Sequence, residues 1–140
     1  MPNDIVSAST QLADDAAASA DILRQLEGTD PSAVLLFMAP ERDGASMVRT
    51  VSARFPSAEV VGCTTAGEFT ERSYGVGGAV AMAIPRSKAP RTAAALGNFA
   101  GGVLDGVRGA AKISFQMLGQ AAPRFVQRFR RFGAIEVPQV

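Results

Sequence analysis

Val60-Val-Gly-Cys-Thr-Thr-Ala-Gly-Glu-Phe69 joins a short β-branched run to a turn of small and hydroxyl-bearing residues, and the fold follows from how its neighbours are spaced. From Ala58 to Cys63 the pattern predicts a strand, because branched side chains are stiff at χ1 and pack well on a pleated surface. Upstream, Met47, Val48, Val51 and Phe55 recur at helical spacing within a stretch that runs from about Asp43 to Arg54, and Pro56 ends it. Earlier still, Ala33-Val-Leu-Leu-Phe-Met-Ala39 is an unbroken apolar run of strand length, the pattern of a central parallel strand buried on both faces. A first helix is expected through Leu12, Ala16, Ala20, Leu23 and Leu26, capped by Ser9 or Thr10, with Asp14 and Asp15 at its positive end and Gly28 past its end. Helix, strand, helix, strand is the rhythm of an α/β sheet with helices packed on it.

Downstream, Ser73-Tyr-Gly-Val-Gly-Gly78 has three glycines and no charge, which suits a flexible connection or a hairpin. Ala79-Val-Ala-Met-Ala-Ile84, closed by Pro85, is a third strand. Arg86 to Arg91 is a basic, proline-punctuated linker. Val103, Leu104, Val107, Ala110, Ala111, Met117 and Leu118 have helical spacing, weakened by Gly106 and Gly109, each costing about 1 kcal/mol relative to alanine. A last helix is expected over 123–132, with Phe125, Phe129 and Phe132 on one face and Arg124, Arg128, Arg130 and Arg131 around it. The expected organisation is a three-layer α/β domain over residues 1–91, a sheet flanked by helices, followed over 92–140 by a basic, helical C-terminal region.

Composition excludes much chemistry. The 140 residues include no histidine and one cysteine, so the chain holds no Ser-His-Asp triad, Cys-His pair, imidazole metal site, intrachain disulfide or CxxC pair. At 47% hydrophobic and 19% charged, the chain has the composition of a folded domain. The start, Met1-Pro-Asn-Asp, lacks the pattern of a secretory signal, and with a free thiol a cytoplasmic location is expected. Charge divides along the chain: residues 1–71 hold eleven acidic and four basic side chains, a net of −7, and residues 72–140 hold ten basic and two acidic, a net of +8. Such a division suits either halves that face each other or a basic half that meets an acidic partner.

The turn at 62–68 is the candidate site, because ligands of open α/β sheets bind outside the carboxyl ends of the strands. Gly62 and Gly67 leave room for close backbone approach, Thr64 and Thr65 offer hydroxyls and amides, and Glu68 suits a ligand's ammonium group. Gly62 and Gly67 have Walker A spacing, but Glu68 stands in the lysine's place and repels phosphate. Gly75-Val-Gly-Gly begins like a dinucleotide fingerprint but lacks the third glycine and leads into a strand. Cys63 without a histidine is expected to line a pocket or a core, not to act as a nucleophile. Asp14, Asp15 and Asp21 are expected on a solvated helix face, with no metal and no cofactor.

In order, Leu36-Phe-Met-Ala-Pro40, a helix, Val60-Val-Gly-Cys-Thr-Thr-Ala-Gly-Glu68, a glycine-rich gap and Ala79-Val-Ala-Met-Ala-Ile84 resemble the N-terminal FIST sensory domain, over roughly residues 10–86. The resemblance implies an apparently truncated member of an intracellular family that senses small ligands such as amino acids and signals through attached output domains or proteins. It implies a non-catalytic domain that holds ligand through Gly62, Cys63, Thr64, Thr65, Gly67 and Glu68, with homo-oligomerisation as a further expectation. The alternative is a scaffold or peripheral interaction protein acting through Arg124, Phe125, Arg128, Phe129 and Arg131 on a partner, a nucleic acid or a membrane surface.

Overall fold

The structure, a computed structural model, describes residues 4–70, 74–96 and 100–117. The chain divides into two compact units, 1–94 and 95–140. In the first unit the elements in order are β1 (Val6–Thr10), α1 (Asp15–Gln25), β2 (Pro31–Met38), α2 (Gly44–Arg54), β3 (Glu59–Thr64), β4 (Glu68–Phe69), β5 (Tyr74–Gly75) and β6 (Ala79–Pro85). Four of the strands form one sheet in the order β1-β6-β2-β3, and β4 and β5 form a separate two-stranded ribbon. This is an α/β fold, as the sequence implies.

One expectation about the first helix is corrected. Ser9 and Thr10 are the end of β1, antiparallel to β6 with Thr10 opposite Ala79, and do not cap α1. The cap is Asp14, whose carboxylate accepts the Ala17 amide at 2.8 Å. Aspartate is at least as good a cap as serine or threonine, and the sheet has already claimed the backbone of Thr10. The outer edge of β1 is covered in turn by Gln25 of α1, whose carboxamide accepts from the Ser9 amide at 3.1 Å and donates to the Ser9 carbonyl at 2.8 Å. A glutamine side chain thus takes the place of a neighbouring strand at an otherwise open edge.

β2 is central but parallel on one side only. It runs parallel to β3, with Val34 opposite Val60 and Phe37 opposite Cys63. It runs antiparallel to β6, with Leu36 opposite Ala81. The reason is the route of the chain. A helical crossover through α2 returns β3 in the direction of β2, whereas the short β4–β5 ribbon reverses the chain and inserts β6 on the other side.

Register divides the side chains between two faces, since successive residues of a strand alternate. Val6, Ala8, Val34, Leu36, Met38, Ala79, Ala81, Ala83 and Val60 share the face covered by the helices, against Ile22 and Leu26 of the α1 region and Met47, Val51 and Phe55 of the α2 region. The alanines of β6 keep this strand low, so that α1 packs over β1 and β6 while α2 packs over β3. Each large apolar side chain buried here stabilises the fold by about 1.5–3 kcal/mol. Leu35, Phe37, Met82 and Ile84 lie on the opposite face and are only half-buried, while Val61 and Cys63 beside them are exposed.

The second unit contains α3 (Val103–Met117), the helix that the spacing predicts. Gly102 before it has φ 111°, which a residue with a Cβ rarely adopts, and its carbonyl accepts the Gly106 amide at 3.1 Å. Val103, Leu104, Val107, Ile113 and Met117 are exposed. The expected helix over 123–132, with Arg124, Phe125, Arg128, Phe129 and Arg131, lies outside the described residues. No described helix is long and apolar enough to cross a membrane.

Candidate functional site

The turn after β3 stands where β2 and β3 end together. The Thr65 amide donates to the Met38 carbonyl at 2.9 Å, carrying the parallel pairing one residue past Thr64. The chain then folds back through a tight brace. The Thr65 hydroxyl donates to Glu68 Oε1 at 2.7 Å, and Glu68 Oε2 accepts the Gly78 amide at 3.1 Å. Glu68 is only 3% exposed. A carboxylate taken out of water needs such partners, and each oxygen here has one, so both donors and acceptor hold the turn to the start of β6.

The two glycines of the turn are filled from within the chain. A Cβ on Gly62 would stand 3.2 Å from Met38 Cε and Val48 Cγ2, so the missing side chain lets α2 settle on the edge strand. A Cβ on Gly67 would stand 3.2 Å from the Tyr74 hydroxyl. Of the six candidate residues, the structure therefore brings together Thr65, Gly67 and Glu68, with Tyr74 and Gly78 beside them. Thr64 lies on the helix-covered side at the end of β3, where it is exposed. Cys63 lies in register with Phe37 on the opposite face, with its thiol exposed.

Beside this turn is a residue that the sequence reasoning missed. Arg42 has a side chain only 4% exposed. Its Nε donates to the carbonyls of Gly77 and Gly78, both at 3.0 Å. Its Nη2 donates to the carbonyls of Leu12 at 2.7 Å and Gly77 at 2.8 Å, and its Nη1 donates to Asp15 Oδ1 at 2.9 Å. The guanidinium fork suits this set of partners in a way that a point charge does not. The only local signal was one base between two acids in Pro40-Glu-Arg-Asp43, and nothing in that pattern distinguishes it from a solvated residue.

Asp15 is likewise more than a solvated, dipole-favoured residue. Its second oxygen accepts the Asp43 amide at 2.9 Å, so it links the start of α1 to the cap of α2, where Asp43 accepts the Ser46 amide at 3.0 Å. The Asp43 amide, and after it the Arg42 hydrogen bond and charge, hold the Asp15 carboxyl below its ordinary value against the opposing effect of burial. Asp21 is lowered too, first by the Arg24 hydrogen bond and then by those of Thr10 and Gln25. A carboxyl whose folded pKa is depressed contributes stability that is present above the unfolded value and lost as pH falls through the folded one. Acid destabilisation is therefore expected to set in below about pH 3.8. Urea midpoints measured from pH 5 down to pH 2 should fall less steeply in Asp15→Asn than in the wild type.

At this strand end the Thr65 hydroxyl and the Thr65 and Gly78 amides are engaged within the chain, and Thr64 is exposed. Among the described residues, no group of three or more Cys, Asp or Glu side chains is placed to hold a metal ion. The second candidate surface, with Arg124, Phe125, Arg128, Phe129 and Arg131, falls outside the described residues.

No curated protein and no solved structure matches the chain. The model of the FIST N domain matches residues 32–129, a span that begins in β2, contains the turn and its brace, and extends past α3. That span is well over half of the sequence, and the chain belongs to the FIST N domain family.

Proposed function

We propose that this chain is a non-catalytic domain that senses a small ligand, an amino acid or a similar metabolite, at the turn from Gly62 to Glu68. The family is a sensory one, associated with signal transduction and small-ligand sensing. The observation that carries the proposal for this chain is the position of the Thr64–Glu68 turn at the shared carboxyl end of β2 and β3, the place where open α/β sheets hold ligands. Thr64 and Cys63 face solvent there. The Thr65 hydroxyl and the Glu68 carboxylate are engaged with each other, so a ligand that uses either competes with the brace. The signal passes to an output domain or protein, or to a second copy of the chain, in the cytoplasm.

Thermal unfolding of the chain against a panel of amino acids and small metabolites tests this reading. A ligand at about 100 times its dissociation constant should add roughly 2.7 kcal/mol, seen as a raised midpoint. Thr64→Ala, at an exposed position, should leave the unliganded midpoint unchanged and remove the shift. If no compound moves a cooperative transition, the turn is not a sensor. Association through the C-terminal segment then takes its place, to be sought as salt-sensitive binding that is lost on charge reversal of Arg128, Arg130 and Arg131.

A further inference from the structure

The peptide unit between Gly77 and Gly78 is held from both ends by opposite charges. Its amide hydrogen, on Gly78, is taken by Glu68 Oε2 at 3.1 Å. Its carbonyl, on Gly77, is taken by Arg42 Nε at 3.0 Å and Nη2 at 2.8 Å. The unit is planar and trans, so its N–H and C=O point in opposite directions and turn together as one body. The same plane is flanked by glycine on each side, and Gly77 already sits at φ 80°, in the left-handed region. A peptide flip changes ψ of the first residue and φ of the second, and only glycine at both positions leaves both values free of steric penalty.

We propose that the Gly77–Gly78 peptide is a two-position switch that connects the Thr65–Glu68 turn to the N-terminal ends of α1 and α2. Its role in signalling rests on the sensing reading above. In the observed position the switch is locked, because a flipped plane would point its carbonyl at the Glu68 carboxylate and its N–H at the Arg42 guanidinium, both repulsive. A ligand that draws the Glu68 carboxylate to itself removes the acceptor of the Gly78 amide and unlocks the plane, and one that takes the Thr65 hydroxyl loosens the same carboxylate by freeing its other oxygen. Arg42 then loses the Gly77 carbonyl. Arg42 keeps the Gly78 carbonyl, which belongs to the next peptide, and its bonds to the Leu12 carbonyl ahead of α1 and to Asp15 carry the change to the Asp43 amide at the cap of α2. Both ligand and switch therefore act on one equilibrium, which is the requirement for coupling between them.

The test needs no ligand, so its failure and that of the sensing reading are separate. Hydrogen exchange is followed by nuclear magnetic resonance in the full chain at the Gly78 amide, the Arg42 Nε–H and the Asp43 amide, with the Ile22 and Val51 amides as reporters of global opening. In Glu68→Ala all three protons should exchange about tenfold faster while the two reporters lag behind. In Glu68→Gln the carboxamide oxygen still accepts from Gly78 and its NH2 donates to the Thr65 oxygen, so native rates should be kept. Acceleration at Gly78 alone, with Arg42 and Asp43 unmoved, overturns the proposal. If Glu68→Ala unfolds, Thr65→Ala decides, since it frees one Glu68 oxygen without emptying the site. Smaller increases at the same three protons support the switch, and no change at Arg42 and Asp43 overturns it.

Discussion

Replacing Arg42 by methionine should lower the unfolding free energy by about 3 kcal/mol, although the residue lies in a loop on neither strand nor helix. Methionine keeps the length and the apolar stem but removes every donor. The Gly78 carbonyl keeps the Ala39 amide at 3.1 Å, but the carbonyls of Leu12 and Gly77 lose their Arg42 partner, and leaving a buried acceptor unpaired costs about 1–3 kcal/mol. Asp15 is better placed to recover, because its side chain is 31% exposed and water can replace the guanidinium. That keeps the expected loss at the low end of the 3–5 kcal/mol typical when one member of a buried pair is removed. Arg42→Lys retains the charge but cannot span Gly77, Leu12 and Asp15 at once, and should lose roughly half as much. Urea unfolding measures both, and a loss below about 1 kcal/mol in Arg42→Met would mean that the clamp adds nothing beyond packing.

Leu36→Ala should cost about 3 kcal/mol, and Leu35→Ala, one residue away, about 1 kcal/mol or less. Leu36 is 1% exposed and packs in the cluster under both helices. Truncating it removes apolar contact and leaves a cavity that the surrounding strands and helices fill only in part. Leu35 points to the other face and is only half-buried, so its truncation leaves a surface notch open to water. In a domain of this size 1 kcal/mol moves the thermal midpoint by about 4–8 °C, so the two variants are easily told apart. Equal losses would mean that both faces of β2 are equally enclosed.

This pair of neighbours also marks how far local sequence reaches. Pro31-Ser-Ala-Val-Leu-Leu-Phe-Met38 is apolar at nearly every position of both parities, so the pattern announces a central strand but does not say which face carries the helices. β1 escaped notice because Val-Ser-Ala-Ser-Thr has only one strongly apolar residue, and its strand character comes from pairing with β6, far along the chain, from Val6 opposite Ala83 to Thr10 opposite Ala79. The neighbouring helix was nevertheless recognisable from its spacing, and only its cap was misplaced, since three good capping residue types lie close together there. In the candidate site the turn was legible as small and polar. That Glu68 is turned inward to hold Gly78 was not, because its partner lies across the ribbon.

The sequence by itself determined the strand and helix spans around Ala33–Arg54 and Ala58–Cys63, the breaker at Pro56, the α/β class, and the motif that places the chain in the FIST N domain family. These are readable because propensity, periodicity and capping act over a few residues of chain. Tertiary structure alone decided the antiparallel insertion of β6 beside β2, the division of the sheet into a helix-covered face and a less enclosed one, and the employment of Arg42, Asp15 and Glu68. Arg42 meets Gly77 across 35 residues of sequence and Asp15 across 27. A buried charge takes its meaning from the groups that enclose it, and those are brought there by the fold and not by neighbours in the chain.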